Sequence, residues 1–106
     1  MDDLKSTVDM MISDDYKERF KAEYHQLVIR FGKLRAMLEK WDSSELSFTP
    51  TCNRGILNMQ ARIMADYITV LESRAQIEGI LLSDDSGNTT ESANSLKAAF
   101  LKDSYN

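Results

Sequence analysis

Between Tyr16 and Trp41 the residues Phe20, Tyr24, Leu27, Phe31, Leu34, Leu38 and Trp41 recur at alternating steps of four and three. Steps of that kind keep an apolar stripe on one side of an α-helix along its whole length, so the helix packs lengthwise against one partner helix. A half-buried strand would need apolar residues at every second position instead. A second stretch, Arg54 to Glu78, also carries apolar residues at helical spacing and supplies the partner. The expected fold is therefore all-α: a long antiparallel helical hairpin with short amphipathic helices at both ends.

Three segments follow from this reading: an N-terminal amphipathic segment (1–13), the hairpin (14–80), and a polar linker with a short C-terminal amphipathic helix (81–106). In the first, Leu4, Val8, Met11 and Ile12 fall at helical spacing, and Asp2 or Asp3 is placed to cap them. Asp15 and Glu18 have the spacing of a capping box at the start of the first long helix. Gly32 lies inside that helix as a tolerated weakness of up to ~1 kcal/mol. The connection, 42–53, is long for two packed helices, and Leu46 and Phe48 are expected to fold back over the open end. Pro50 stops any helix there, Thr51 or Asn53 caps the second helix, and Gly79 ends it.

The second helix carries two apolar rows. Ile56, Met59, Ile63, Tyr67, Val70 and Ile77 form one, with Leu57, Met64, Ile68 and Leu71 alongside. Together they cover more of the circumference than one partner helix can bury. Within a chain of 106 residues, that surplus predicts self-association, and the hairpin is expected to form a homo-oligomer.

Composition narrows the functional classes. A 42% apolar and 28% charged chain is that of a folded protein rather than a disordered one. No apolar run reaches the ~18 residues of a membrane span, and the acidic start Met1-Asp2-Asp3 is unlike a signal peptide. One cysteine, Cys52, allows no internal disulfide, which favours a reducing compartment such as the cytoplasm. His25 is the sole histidine, so no zinc site of Cys and His ligands can be assembled, and it is expected at the surface or seam edge. Phosphate loops, dinucleotide fingerprints and EF-hand patterns are missing from the sequence. The reading is of a non-enzyme that needs no cofactor and no metal.

Charge is uneven within a formal net of −4. Positions 16–41 hold Lys17, Arg19, Lys21, Arg30, Lys33, Arg35 and Lys40 against Glu18, Glu23 and Glu39. An acidic protein thus presents a basic first helix, which suits a small anion better than a nucleic-acid coat. Tyr16, Arg30, Lys33 and Arg35 offer a stacking face and phosphate contacts, or else form a staple against Phe20 and a solvated face. Arg74 interrupts the second-helix row one turn after Val70. It either pairs with Glu78 at i+4 or lines a pocket between subunits.

The run Tyr16-Lys-Glu-Arg-Phe-Lys-Ala-Glu-Tyr24, with Leu27, Lys33-Leu34, Met37-Leu38, Phe48-Thr-Pro50, Leu57, Gln60, Met64, Tyr67, Val70-Leu71, Arg74 and Ile77-Glu-Gly79, resembles a family of small helical hairpins encoded by crAss-like phages and prophages. More loosely, it is similar to the hairpin of the anti-CBASS and Thoeris anti-defence nucleotide sponges. The resemblance covers about residues 14–80. It implies an oligomer in the host cytoplasm that sequesters a cyclic nucleotide immune signal between protomers without cleaving it. On that resemblance Tyr16 stacks on the base, Arg30 or Lys33 meets phosphate, and Arg74 serves a second pocket. Two other classes fit the same chain. An acidic protein–protein inhibitor of a host defence nuclease, of the anti-CRISPR type, would use the acidic N-terminal segment. A structural helical oligomer would need no ligand.

Overall fold

The computed structural model describes residues 4–82. The expected caps Asp2 and Asp3, the polar linker from 83 and the C-terminal amphipathic helix lie outside the described residues. Among those described there are helices and no strands: a 3-10 turn, Leu4–Thr7, runs into a short helix α1, Val8–Met11, followed by α2, Tyr16–Asp42, and α3, Arg54–Glu78. None of these helices is long and apolar enough to cross a membrane.

The two long helices pack together along their length. Cross-helix bonds join the start of α2 to the end of α3, Tyr16 to Glu78, and the end of α2 to the start of α3, Asp42 to Arg54. The heptad stripe of α2 faces the core: Phe20, Tyr24, Leu27, Phe31 and Leu38 are buried, with Leu34 and Trp41 packed at its edges.

On α3 the structure sorts the two rows and adds alanines to one of them. The row that packs is Leu57, Ala61, Met64, Ile68, Leu71 and Ala75, with Ala65 beside it. Its steps of four and three match those of α2, so the two seams stay in register. The bulkier row points out: Ile56, Met59, Ile63, Tyr67, Val70 and Ile77 are all exposed. Alanines at 61, 65 and 75 leave room for the large rings of α2 at ordinary helix spacing, about 8–10 Å.

Caps fix the ends. Asp15 caps α2 through Lys17, whose N–H it accepts at 2.9 Å, and Ser13 Oγ accepts the N–H of Asp15 at 3.0 Å. The reciprocal half of the capping box does not form; Glu18 pairs with Lys21 instead. Asn53, the second of the two expected caps, accepts the N–H of Ile56 at 2.8 Å. Gly79 takes the left-handed conformation, φ 72°, and the chain turns back so that Ile80 and Leu82 join the core. Arg54 grips Asp42 with two nitrogens, at 3.1 and 3.0 Å, and this bond holds the Asp42 carboxyl below the usual carboxylate range.

Three further expectations are corrected. The N-terminal segment is shorter than one amphipathic helix, and Val8, Met11 and Ile12 stay exposed. It docks through polar groups: Gln26 donates to Thr7 Oγ1 at 2.8 Å, and Thr7, fully buried, donates to the Leu4 carbonyl at 2.7 Å. A four-residue helix is too short to stand alone, so a few directed bonds decide where it sits. His25 is buried rather than superficial, edge-on to Tyr24 at 5.6 Å. The connection adds neither Leu46 nor Phe48 to the core; both line a groove along α2, and Phe48 remains exposed.

The small-residue seam predicts a specific sensitivity. Ala65→Leu forces bulk where α3 faces α2 and should destabilise the fold by about 1–3 kcal/mol in urea unfolding followed by circular dichroism. Asn53→Ala should cost ~1 kcal/mol by removing the α3 cap.

Candidate functional site

Where the start of α2 meets the end of α3, four side chains form a closed cluster. Tyr16, the first residue of α2, donates its hydroxyl to Glu78 Oε1 at 2.8 Å. Arg74 donates from Nη2 to the Tyr16 hydroxyl oxygen at 2.8 Å and from Nε to Glu78 Oε2 at 3.2 Å. The guanidinium carbon also lies 4.9 Å from the centre of the Phe20 ring, a cation–π contact. Phe20 is met edge-on by Tyr16 at 6.2 Å. Helical spacing builds this arrangement: Arg74 and Glu78 are one turn apart on α3, Tyr16 and Phe20 one turn apart on α2.

Polar bonds between tyrosine and glutamate continue along the helix pair. Tyr24, fully buried, donates to Glu72 Oε2 at 2.8 Å, and Tyr67 donates to Glu23. A buried phenol needs such a partner, and each bond ties one long helix to the other.

The predicted site residues divide between two places. Tyr16 and Arg74 come together, whereas the sequence reading put them in separate pockets. Arg30 and Lys33 join neither, being 14 and 17 residues from Tyr16, about 21 and 25 Å along the helix axis. Arg30 is exposed. Lys33 lines a groove of about 410 Å³ formed by α2 and the connection, with Met37, Lys40, Glu45, Leu46 and Phe48. Arg35 pairs with Glu39 on its own helix. Phe20, expected on the seam and as a staple partner of Tyr16, is also the ring beneath Arg74. Lys40 and Phe48 were passed over as site residues, although Lys33, Met37 and Lys40 have the spacing of one helix face. Among the described residues no three of His, Cys, Asp and Glu converge as a metal site requires.

The cluster has a definite electrostatic character. The hydrogen bond to the Glu78 carboxylate, with a smaller desolvation effect, raises the Tyr16 phenol above its ordinary value. The bond to Glu78 likewise holds Arg74 more firmly protonated. Arg74 is thus a fixed cation, half exposed, whose present counter-ion is Glu78. An incoming anion can compete for it, with Tyr16 as a neighbouring donor and ring.

Because the folded pKa of Tyr16 is raised, its contribution to stability is present below the ordinary phenol range and lost as pH rises through the folded value. Tyrosinate absorbance against pH, taken as the difference between the parent and Tyr16→Phe, isolates this residue among the chain's four tyrosines. Glu78→Gln should move that difference titration to lower pH. An unchanged titration would show that Glu78 does not hold the phenol.

Residues 14–77, more than half of the chain, match the family model described as Sequestin. The match begins just before Tyr16, takes in α2, the connection and Arg74, and ends one residue short of the end of α3. No curated protein and no solved structure matches the chain. On the family match, which spans both long helices and the connection between them, the chain belongs to the Sequestin family.

Proposed function

We propose that this protein sequesters a cyclic nucleotide immune signal between copies of itself and holds it without cleavage. The family name points to sequestration of a ligand, and the observation that carries the finer reading is the position of Arg74. It stands in line with Val70 and Ile77, one turn from the first and three residues from the second, on the outward α3 row with Ile56, Met59, Ile63 and Tyr67. An apolar row of that length needs cover, and a second copy of the same row is a partner of matching chemistry. Covering it would enclose Arg74, and an enclosed cation requires an anion. Glu78 fills that need in the single chain. In the assembly a ligand phosphate takes it over, and the exposed ring of Tyr16 offers a face to a base.

In this proposal α2 and α3 form an antiparallel hairpin that oligomerises through α3. Capture needs no nucleophile or metal, so the protein acts as a binder rather than an enzyme. The phage-borne, anti-defence setting in the host cytoplasm rests on the resemblance of the Tyr16–Tyr24 and Phe48–Pro50 runs.

Three measurements test the reading together. Light scattering should give a size above the monomer, and Ile63→Asp with Val70→Asp should reduce it to the monomer. Calorimetry with a panel of cyclic di- and trinucleotides should detect a ligand at fewer than one per chain, recovered chemically intact after denaturation. Tyr16→Ala and Arg74→Ala should each weaken that binding roughly tenfold or more, about 1.4 kcal/mol, while helical content stays unchanged. No heat with any member, joined by capture of a host nuclease, would replace sequestration with protein inhibition. Full-strength binding by a strict monomer would remove the pocket between copies.

A further inference from the structure

The groove beside α2 has the makings of a site separate from the Tyr16–Arg74 cluster. At the end of α2 the chain reverses sharply: the N–H of Glu45 bonds the Lys40 carbonyl at 2.8 Å, with Ser44 in the left-handed region at φ 63°. A non-glycine residue in that region is uncommon and carries a conformational cost. The result is a loop that lines a groove with the side of α2. Its residues Glu45, Leu46 and Phe48 face Lys33, Met37 and Lys40 across the groove.

The lining is chemically sorted. Met37 and Leu46 give it apolar walls, and Phe48, 56% exposed, presents most of a ring to solvent. Lys33 and Lys40 stand on the same helix face, two turns or about 10 Å apart. Among the described residues neither lysine forms an ion pair. Glu45 in the same lining is held by Ser43, whose hydroxyl donates to Oε1 at 2.6 Å, and its second oxygen remains an acceptor. An aromatic face, two lysines outside any ion pair and one carboxylate acceptor around a volume within the usual range of ligand sites make a specific combination.

We infer that this groove binds a nucleotide-class anion, with a flat base against Phe48, its phosphate on Lys33 and Lys40, and a donor edge of the base on Glu45. Stacking on an exposed ring tolerates any base, whereas a carboxylate selects bases that present N–H groups, and guanine presents two side by side. This site does not depend on assembly of copies. It lies about 25 Å along α2 from Tyr16, so it stands or falls independently of the pocket proposed at Arg74.

Guanosine monophosphate is the probe, with guanosine and inorganic phosphate as controls, read by amide chemical shifts of the full chain. Shifts should cluster between positions 33 and 48, and leave Tyr16, Phe20, Arg74 and Glu78 in place. Guanosine and phosphate should each bind roughly tenfold more weakly than the nucleotide, since each offers only part of the contact. Phe48→Ala, at an exposed loop position, should weaken binding roughly tenfold. Lys33→Gln with Lys40→Gln should weaken it further and flatten its dependence on salt. Uniform shifts below millimolar nucleotide, shifts centred on Tyr16 and Arg74, or guanosine binding as well as its phosphate would each overturn the assignment. So would retention of full affinity in the double lysine variant with an unaltered circular dichroism spectrum.

Discussion

The structure depends on an unequal division of bulk between two helices. Along the α2 seam stand Phe20, Tyr24 and Phe31, all buried. Along the α3 seam Ala61 and Ala75 alternate with Leu57, Met64, Ile68 and Leu71, and Ala65 sits beside them. Large residues on both sides would drive the axes apart; alanines on one side let the rings of the other fill the space at native density. This choice has a cost elsewhere. The β-branched and aromatic residues of α3 that do not fit the seam, Ile56, Ile63, Tyr67, Val70 and Ile77, are left facing solvent. The same constraint that makes the pair fit thus creates the exposed apolar row on which the proposed assembly rests.

That division explains what was legible in the sequence. The α2 seam is made of large residues, and its heptad steps could be read directly and were the ones found. On α3 the eye follows size, and the largest apolar residues belong to the outward row. The correct seam was present as Leu57, Ala61, Met64, Ile68, Leu71 and Ala75, steps of four and three throughout, but two of its members are alanines that a hydrophobicity pattern scarcely weights. The caps Asp15 and Asn53 and the terminator Gly79 were legible because their chemistry is local. Burial of His25 was not, and neither was the docking of the short N-terminal segment. That docking rests on the Gln26–Thr7 bond, which has no periodic signature.

Site residues show the same split between local and long-range information. The pairing of Arg74 with Glu78 follows from one helical turn and could be anticipated. Its meeting with Tyr16 and Phe20 requires the register of α3 against α2, which is set by the alanine seam. Fixing that register also brings Tyr24 to Glu72 and Tyr67 to Glu23. These carboxylates accept from phenols of the facing helix. Toward the connection, α2 carries Arg30, Lys33 and Lys40, which no carboxylate engages among the described residues. Among the described residues the helix pair therefore has hydrogen-bonded carboxylates toward one end and lysines outside any ion pair toward the other, although both long helices carry mixed charge along their sequence.

The two ends make different demands on an anion. At Arg74 an incoming phosphate must displace Glu78 and leave that carboxylate in search of solvent, so the exchange gains little in open water, where ion pairs are weak. It becomes favourable only where water is excluded around Arg74, as it would be under a second copy laid on Val70 and Ile77; the same enclosure that strengthens the phosphate contact would penalise any unpaired charge. Binding at that end is thereby tied to assembly. At Lys33 and Lys40 nothing need be displaced, and Phe48 already stands exposed beside them, so affinity for the nucleotide proposed there would be set by the single chain. A ligand proposed for the first place should bind more tightly as protein concentration rises through the assembly range, whereas one in the groove should be indifferent to it. That contrast follows from where Glu78 sits, and needs no assumption about the identity of either ligand.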